Sequence, residues 1–158
     1  VYFANYNGPG QVVISGAKKG VRAACKAFMK EGAKKAVMLP ISGSFHTPYM
    51  DEAREELGEI IKRTAFHTPT IPVYQCVDAL PHTNPEEIRN NLIQHITHPV
   101  LWTDMTRNMA KDGVTDFYEV GTDDTLQKIV TRMFPDLNVQ SIWDIPLYLP
   151  FKPVYEEN

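Results

Sequence analysis

The chain lacks a Gly-x-Ser-x-Gly motif, the sharp turn that presents a nucleophilic serine in many enzymes. It has two cysteines, Cys25 and Cys76, which are too few for a disulfide framework, and we expect both to be reduced thiols. No apolar run approaches membrane-spanning length, and no signal-peptide pattern is present. These absences favour a cytoplasmic protein without a membrane partner.

Signals for metal ions, nucleotides and nucleic acids are also missing. The glycine turn at residues 8–10 lacks the Gly-Lys-Ser/Thr ending of a phosphate loop. His95 and His98 have ligand-like spacing, but Pro99 ends the helix and no second cluster accompanies them, so we expect no metal site. The pI is about 5.9 and no aromatic residues interleave with the basic ones, which argues against nucleic acid.

Charge is distributed unevenly along the 158 residues. Residues 1–50 carry seven Lys or Arg and one acidic residue, whereas residues 51–158 carry nine basic and eighteen acidic residues. Four of the basic residues recur every fourth position of a predicted helix and form a basic stripe, Lys18, Arg22, Lys26 and Lys30. Such a stripe is usually a solvated helix face, but its lack of acidic neighbours also suits a charged partner.

Hydrophobic periodicity predicts an α/β protein, because strands alternate with helices. The predicted strands are residues 1–5, 11–15, 35–41, 69–74, 116–120 and 138–142. The predicted helices are residues 17–31, 49–64, a helix opening at Pro85, 102–112, and one capped by Asp123 or Asp124 that runs to about Met133. Residues 77–84 are expected to be loop, and the tail from Pro146 to be extended chain.

The segment 39–50, Leu-Pro-Ile-Ser-Gly-Ser-Phe-His-Thr-Pro-Tyr-Met, is the most informative part of the chain. It has the pattern of a strand end, a turn that presents His46, and a helix that opens at Thr47 and Pro48. A histidine in this position suits general-base catalysis at neutral pH, although a lone loop histidine is more often structural. A base also needs a nucleophile, which the missing serine motif does not supply.

Two asparagines, Asn5 and Asn7, lie just before the glycine turn. Their side chains either hold the turn together or direct amide donors at a substrate oxygen. The residues alone favour the role in the turn.

Five segments together resemble malonyl-CoA:acyl carrier protein transacylases. They are residues 4–16, residues 39–50, Pro-Val at 72–73 before a Val-Asp turn at 77–78, Pro-Val-Leu-Trp at 99–102, and Tyr-Glu-Val-Gly at 118–121. They agree in order and spacing and cover the chain to about Trp143. The chain departs from the family at residues 121–123, where Gly-Thr-Asp replaces the usual Gly-Pro-Gly.

The resemblance implies an α/β-hydrolase-like acyltransferase core with a ferredoxin-like small subdomain. Residues 1–42 would form part of the small subdomain, and residues 43–158 the C-terminal part of the core. The Gly-His-Ser-x-Gly elbow of the family lies upstream of the matched region. The chain therefore looks like the C-terminal portion of such an enzyme, and we expect it to be inactive alone and to need the missing N-terminal half as a partner.

The resemblance also implies an activity and a set of site residues. Malonyl would pass from malonyl-CoA to the phosphopantetheine thiol of acyl carrier protein, through an acyl-serine and without a bound cofactor, in fatty-acid biosynthesis. His46 resembles the catalytic histidine, and His95 matches the residue whose backbone carbonyl holds it, where the family usually has glutamine. Asn7, and less closely Asn5, resembles active-site asparagines, and Phe45 resembles the malonyl-selective form of the motif. The basic stripe becomes a candidate docking surface for the acidic carrier protein.

Two alternatives remain open from the sequence. The chain could be an acyltransferase domain of a polyketide synthase. It could also be a non-catalytic module that binds carrier protein, since the nucleophile is absent.

Overall fold

A computed structural model of the chain describes residues 1–142. It confirms the predicted α/β class, since short strands alternate with helices. Two compact units are present, one from Val1 to Gly113 and one from Val114 onward. The subdomain boundary predicted at residue 42 is a different division and stays a prediction. The predicted extended tail from Pro146 lies outside the described residues.

The first unit opens with a β-hairpin made of β1 (Tyr2–Gly8) and β2 (Gln11–Ser15), which pair antiparallel. Gly10 in the turn has a φ of 72°, a conformation that glycine adopts without strain. The pairing of β1 shifts register twice, once just after Phe3. Such a bulge re-aims side chains. The rings of Phe3 and Tyr6, which a regular strand would point to opposite faces, therefore lie with centroids 5.8 Å apart.

The second edge of β1 is held by the chain around Val100. The amide of Tyr6 donates to the carbonyl of Val100 over 2.9 Å, and the amide of Val100 donates to the carbonyl of Ala4 over 2.8 Å. The hydroxyl of Thr103 adds a bond to the carbonyl of Tyr6 over 2.8 Å. These bonds fix the hairpin to the segment that follows His95.

The remaining elements of the first unit are mostly helical. In chain order they are α1 (Lys18–Lys30), a short 3₁₀ helix (Pro48–Met50), α2 (Asp51–Arg63), the hairpin of β3 (Val73–Gln75) and β4 (Leu80–His82), α3 (Pro85–His95) and α4 (Trp102–Lys111). The start of α3 follows the sequence signals closely. Asn84 accepts hydrogen bonds from the amides of Glu86 and Glu87 over 2.8 and 3.4 Å, and Pro85 occupies the first turn.

Residues 35–41 do not form the predicted strand; they are irregular. An isolated strand leaves its backbone donors and acceptors unpaired, and no described strand pairs with this segment. Its apolar side chains are about half exposed, namely Val37, Met38, Leu39 and Ile41. The segment has the apolar pattern of a strand, but no strand within residues 1–142 pairs with it.

Helical periodicity predicts a buried face on α1 formed by Val21, Ala24, Cys25, Phe28 and Met29, but this face is not buried. The helix forms almost as expected, yet it contains no buried residue. Phe28 and Met29, on the face expected to be buried, are 38% and 48% exposed. The apolar core of the first unit is instead made by small and medium side chains elsewhere, Ala4, Ile61, Ala79 and Met105.

Two smaller predictions in the first unit need correction. The predicted loop 77–84 contains β4, and the predicted strand 69–74 is reduced to the three residues of β3. Ala79, in the turn between them, is buried and has a φ of 64°. Its carbonyl accepts a hydrogen bond from the Asn108 side chain over 2.9 Å, which holds the turn against α4.

The second unit is a strand-helix-strand motif of β5 (Asp116–Glu119), α5 (Thr125–Met133) and β6 (Asn138–Ser141), with β5 and β6 parallel. At the start of α5, Asp124 makes no side-chain capping bond, but the carboxylate of Asp123 accepts the amide of Thr125 over 3.2 Å, as the predicted aspartate cap requires. The carboxylate of Glu119 also accepts the amides of Leu126 and Gln127, over 3.1 and 2.7 Å. A search of the helices in the described residues finds none that is long and apolar enough to cross a membrane.

Candidate functional site

His46 lies in the loop that leads into the 3₁₀ helix and has a φ of 58°. A non-glycine residue in the left-handed region is uncommon and strained, and such strain concentrates at functional sites. The next residue anchors the loop, since Thr47 is fully buried. Its hydroxyl donates to the carbonyl of Ser44 over 2.6 Å and accepts from the amide of Tyr49 at 3.3 Å. The loop is therefore fixed on both sides of the histidine.

The His46 ring is held by the end of α3. Its Nδ1 atom lies 2.9 Å from the carbonyl oxygen of His95. A carbonyl only accepts, so Nδ1 carries the hydrogen and Nε2 is left as the basic nitrogen of the uncharged ring. His95 is the last residue of α3, where carbonyl groups have no partner within the helix and are free to bind elsewhere. The structure thus brings together the two histidines that the sequence singled out.

The side chain of His95 also contacts His46. The two ring centroids are 4.9 Å apart and the ring planes are inclined by 35°. Burial lowers the pKa of the His95 ring, and the charges of His46 and His98 lower it further. Its Nε2 atom is buried without a hydrogen-bond partner among the described residues. His95 is therefore an uncharged ring at neutral pH.

An open cleft of about 420 Å³ adjoins His46. Its size falls within the range of small-molecule sites. Two charged residues on α2 face it, Asp51 and Arg54, which pair over 3.2 Å. The complete lining is Tyr2, Phe3, His46, Pro48, Asp51, Arg54, Thr97, His98 and Pro99.

The predicted substrate-binding residues are not among those that line this cleft. Asn5 and Asn7 lie on β1, and neither side chain makes a hydrogen bond within residues 1–142, so they do not hold the turn. Phe45 is about half exposed, and its ring covers the backbone of Gly43. An active-site role for these three residues stays a prediction.

The residues of the basic stripe are all exposed on α1, and within residues 1–142 none of them forms an ion pair. Lys18, Arg22, Lys26 and Lys30 therefore present unneutralised positive charge to solvent. A role in docking stays a prediction.

Sequence reasoning missed a cluster around His82. Its members lie within 13 residues of one another, but residues 77–84 were expected to be loop, which hides the contact between His82 and α3. His82 contacts the carboxylates of Asp78 and Glu87 over 2.8 and 3.2 Å, and the Asn91 amide donates to Asp78 over 2.8 Å. Burial disfavours the charged form, but the hydrogen bonds to Glu87 and Asp78 outweigh it and raise the pKa of His82. The cluster ties the β3–β4 hairpin to α3. The cleft residues Tyr2 and Thr97 were also missed, since nothing in the sequence marks them, and His98 was considered only as a metal ligand.

Comparison with known proteins defines the class. The acyl transferase domain profile matches residues 1–150. The chain belongs to the acyl transferase domain family.

Within that family it is similar to malonyl CoA-acyl carrier protein transacylases, which confirms the resemblance seen in the sequence. The protein of this name from Haemophilus influenzae is 38% identical over 141 residues, which are 89% of this chain and 45% of that protein. The chain thus spans about half the length of the curated relatives it matches.

Solved structures agree with this assignment and with the α/β acyltransferase fold. The acyl-carrier-protein-S-malonyltransferase of Bartonella henselae superposes with a TM-score of 0.86 at 31% identity, over 89% of this chain and 45% of that one. A malonyl-transacylase in complex with its type II polyketide acyl-carrier protein superposes with a TM-score of 0.81 at 32% identity, over 88% and 44% of the two chains.

Proposed function

We propose that this chain supplies the catalytic histidine of a malonyl transfer from malonyl-CoA to the phosphopantetheine thiol of acyl carrier protein, in the cytoplasm and in fatty-acid biosynthesis. The observation that carries the proposal is the hydrogen bond from His46 Nδ1 to the His95 carbonyl, which leaves Nε2 as a base. The names of the relatives support malonyl-CoA as the donor and acyl carrier protein as the acceptor. No bound cofactor is needed for this chemistry.

The proposed reaction has two half-reactions that share one base. Nε2 of His46 accepts the proton of a serine hydroxyl while the oxygen attacks the malonyl thioester carbonyl. The coenzyme A sulfur leaves with that proton, and malonyl remains on the serine. The phosphopantetheine thiol then gives its proton to Nε2 and attacks the acyl-serine, and the serine oxygen regains the proton. The His95 carbonyl stabilises the imidazolium in both steps, because a hydrogen bond from a charged donor is stronger.

The serine comes from outside this chain in the proposal, since residues 1–158 contain no serine elbow. In the proposal the serine belongs to a segment that corresponds to the N-terminal half of a transacylase, and residues 1–158 alone are inactive. Phe45 would restrict the acyl pocket to malonyl against a methyl-branched unit. Asn5 and Asn7 would direct amide groups at the substrate.

The first experiment is intact-mass spectrometry of the purified material before and after addition of malonyl-CoA. A malonyl adduct on a serine outside residues 1–158, lost in His46→Gln, supports the proposal. The control His67→Gln removes an exposed histidine between α2 and β3 and should leave the adduct unchanged. An adduct on this chain itself would contradict the proposal, because the nucleophile would then lie within residues 1–158.

A polyketide pathway is an alternative destination for the malonyl group. The similarity to a transacylase solved with a type II polyketide carrier protein favours it. Comparing fatty-acid and polyketide carrier proteins as acceptors, in the assembled enzyme, distinguishes the two.

A non-catalytic carrier-protein-binding module is the alternative from another class. The unpaired positive charges of the basic stripe favour it. Carrier-protein binding by this chain with no malonyl adduct on any polypeptide would support binding alone.

A further inference from the structure

The His95 side chain has features that the role of its backbone carbonyl does not explain. Any residue supplies a carbonyl, but here an imidazole with a buried, unpartnered Nε2 occupies the position. A buried polar atom without a partner lowers stability and needs an explanation. The ring rests against His46 with a centroid separation of 4.9 Å. His95 thus contacts His46 through its carbonyl and through its ring, and the two rings form a tilted stack with their planes inclined by 35°.

We propose that the His95 imidazole is a positioning residue for His46, which it supports as an uncharged aromatic ring stacked against the base. This inference rests on the proposed role of His46 as a general base. The face of an uncharged aromatic ring attracts a cation, so the stack favours the imidazolium that His46 becomes after it accepts a proton. A cationic His95 would have the opposite effect, because two like charges would then lie in contact.

The surroundings of the stack keep His95 uncharged at neutral pH. Burial has the largest effect in lowering the pKa of the His95 ring, and the neighbouring histidines His46 and His98 lower it further. His46 faces it from the loop before the 3₁₀ helix, and His98 from the segment after α3. On α2, Asp51 and Arg54 line the same cleft but pair with each other, so their charges largely cancel.

Ring-selective NMR of the ¹⁵N-labelled chain tests the stack without any substrate. His95→Phe keeps an aromatic ring and the carbonyl but cannot be protonated, whereas His95→Gln keeps only the carbonyl. In the parent and in His95→Phe we expect upfield-shifted His46 ring protons and a dominant Nδ1–H tautomer. In His95→Gln we expect loss of the upfield shift and a larger share of the Nε2–H tautomer. The control His67→Gln should match the parent.

Acidification of the same samples separates a stack from ordinary packing. As the pH falls, the parent should lose the upfield shift when both rings become cationic, whereas His95→Phe should retain it. Identical His46 spectra in the parent and His95→Gln, or a shift that survives acid equally in the parent and His95→Phe, would overturn the inference. None of these NMR readouts depends on malonyl transfer. Failure of the inference about His95 is therefore distinguishable from failure of the proposed function.

Discussion

The Nδ1 atom of His46 donates a hydrogen bond to the carbonyl oxygen of His95, a residue 49 positions away, over 2.9 Å. This bond connects the loop before α2 with the C-terminal end of α3. The orientation of the proposed base therefore depends on a helix whose start, at Asn84, is fixed by an ordinary capping interaction.

Removing the α3 cap should destabilise the chain. Asn84→Ala deletes the side chain that accepts the amides of Glu86 and Glu87, and we expect a loss of about 1 kcal/mol in the free energy of unfolding. Asn90→Ala is the matched control, because the exposed Asn90 lies within the same helix and alanine favours helix. Urea denaturation measures both variants. Equal losses would show that the cap is not what stabilises this end of α3.

Thr47→Val tests the anchor beside the proposed base. The change keeps the shape of a fully buried side chain but removes the bond to the carbonyl of Ser44. That carbonyl is left without its partner, so we expect destabilisation of roughly 1–2 kcal/mol. Thr68→Val, at an exposed position, is the control. If both variants unfold at the same urea concentration, the Thr47 hydroxyl does not anchor the loop.

His82 should make stability depend on pH in one direction. Its pKa is raised in the folded chain, chiefly because the hydrogen bonds to Glu87 and Asp78 outweigh burial. The folded state then binds the proton more tightly, so the contribution is complete below the unfolded value of about 6.5 and is lost as the pH rises through the folded value. The excess stability of the parent over His82→Gln should shrink from mildly acidic to alkaline buffer. A pH-independent difference would refute this assignment.

His95 should produce the opposite pH dependence. Its pKa is lowered, first by burial and then by the charges of His46 and His98. The unfolded chain therefore binds the proton more tightly, and stability is lost as the pH falls below about 6.5 toward the folded value. Replacement by phenylalanine removes this proton, so the His95→Phe variant should lose less stability on acidification than the parent. Denaturation midpoints of the parent and of His95→Phe, measured across that pH range, test this expectation.

Charge reversal on α1 tests the docking surface. Arg22→Glu with Lys26→Glu should raise the carrier-protein KM by about tenfold or more at low salt and leave the coenzyme A half-reaction unchanged. Reversal of Lys34 and Lys35 is the control, because these exposed lysines follow the helix and lie outside the basic stripe. Equal effects on both half-reactions, or equal effects of the two double variants, would argue against docking at this surface.

Local signals predicted most of the elements. The β1–β2 hairpin, the helix start at Pro85 and the turn that carries His46 all follow from residues adjacent in the chain. The link from His46 to His95 came from the resemblance to transacylases, because nothing in composition or periodicity pairs residues this far apart.

Several of the errors concern contacts between residues that are not adjacent in the chain. Residues 35–41 have an apolar pattern that suits a strand, but a strand exists only where another strand pairs with it. The apolar face of α1 was recognised, but periodicity does not show what covers a face. The Glu119 cap of α5 was missed because its two partners lie seven and eight residues further along the chain.

The left-handed backbone of His46 means that fold and chemistry prefer different residues at one position. Glycine would adopt a φ of 58° without strain, so the backbone at this position would be less strained with glycine than with histidine. Mutational drift that is screened only for stability would therefore tend to erase the proposed base. The proposed function accounts for a histidine here, because a strained base is retained where its chemistry is needed even though the loop is less stable.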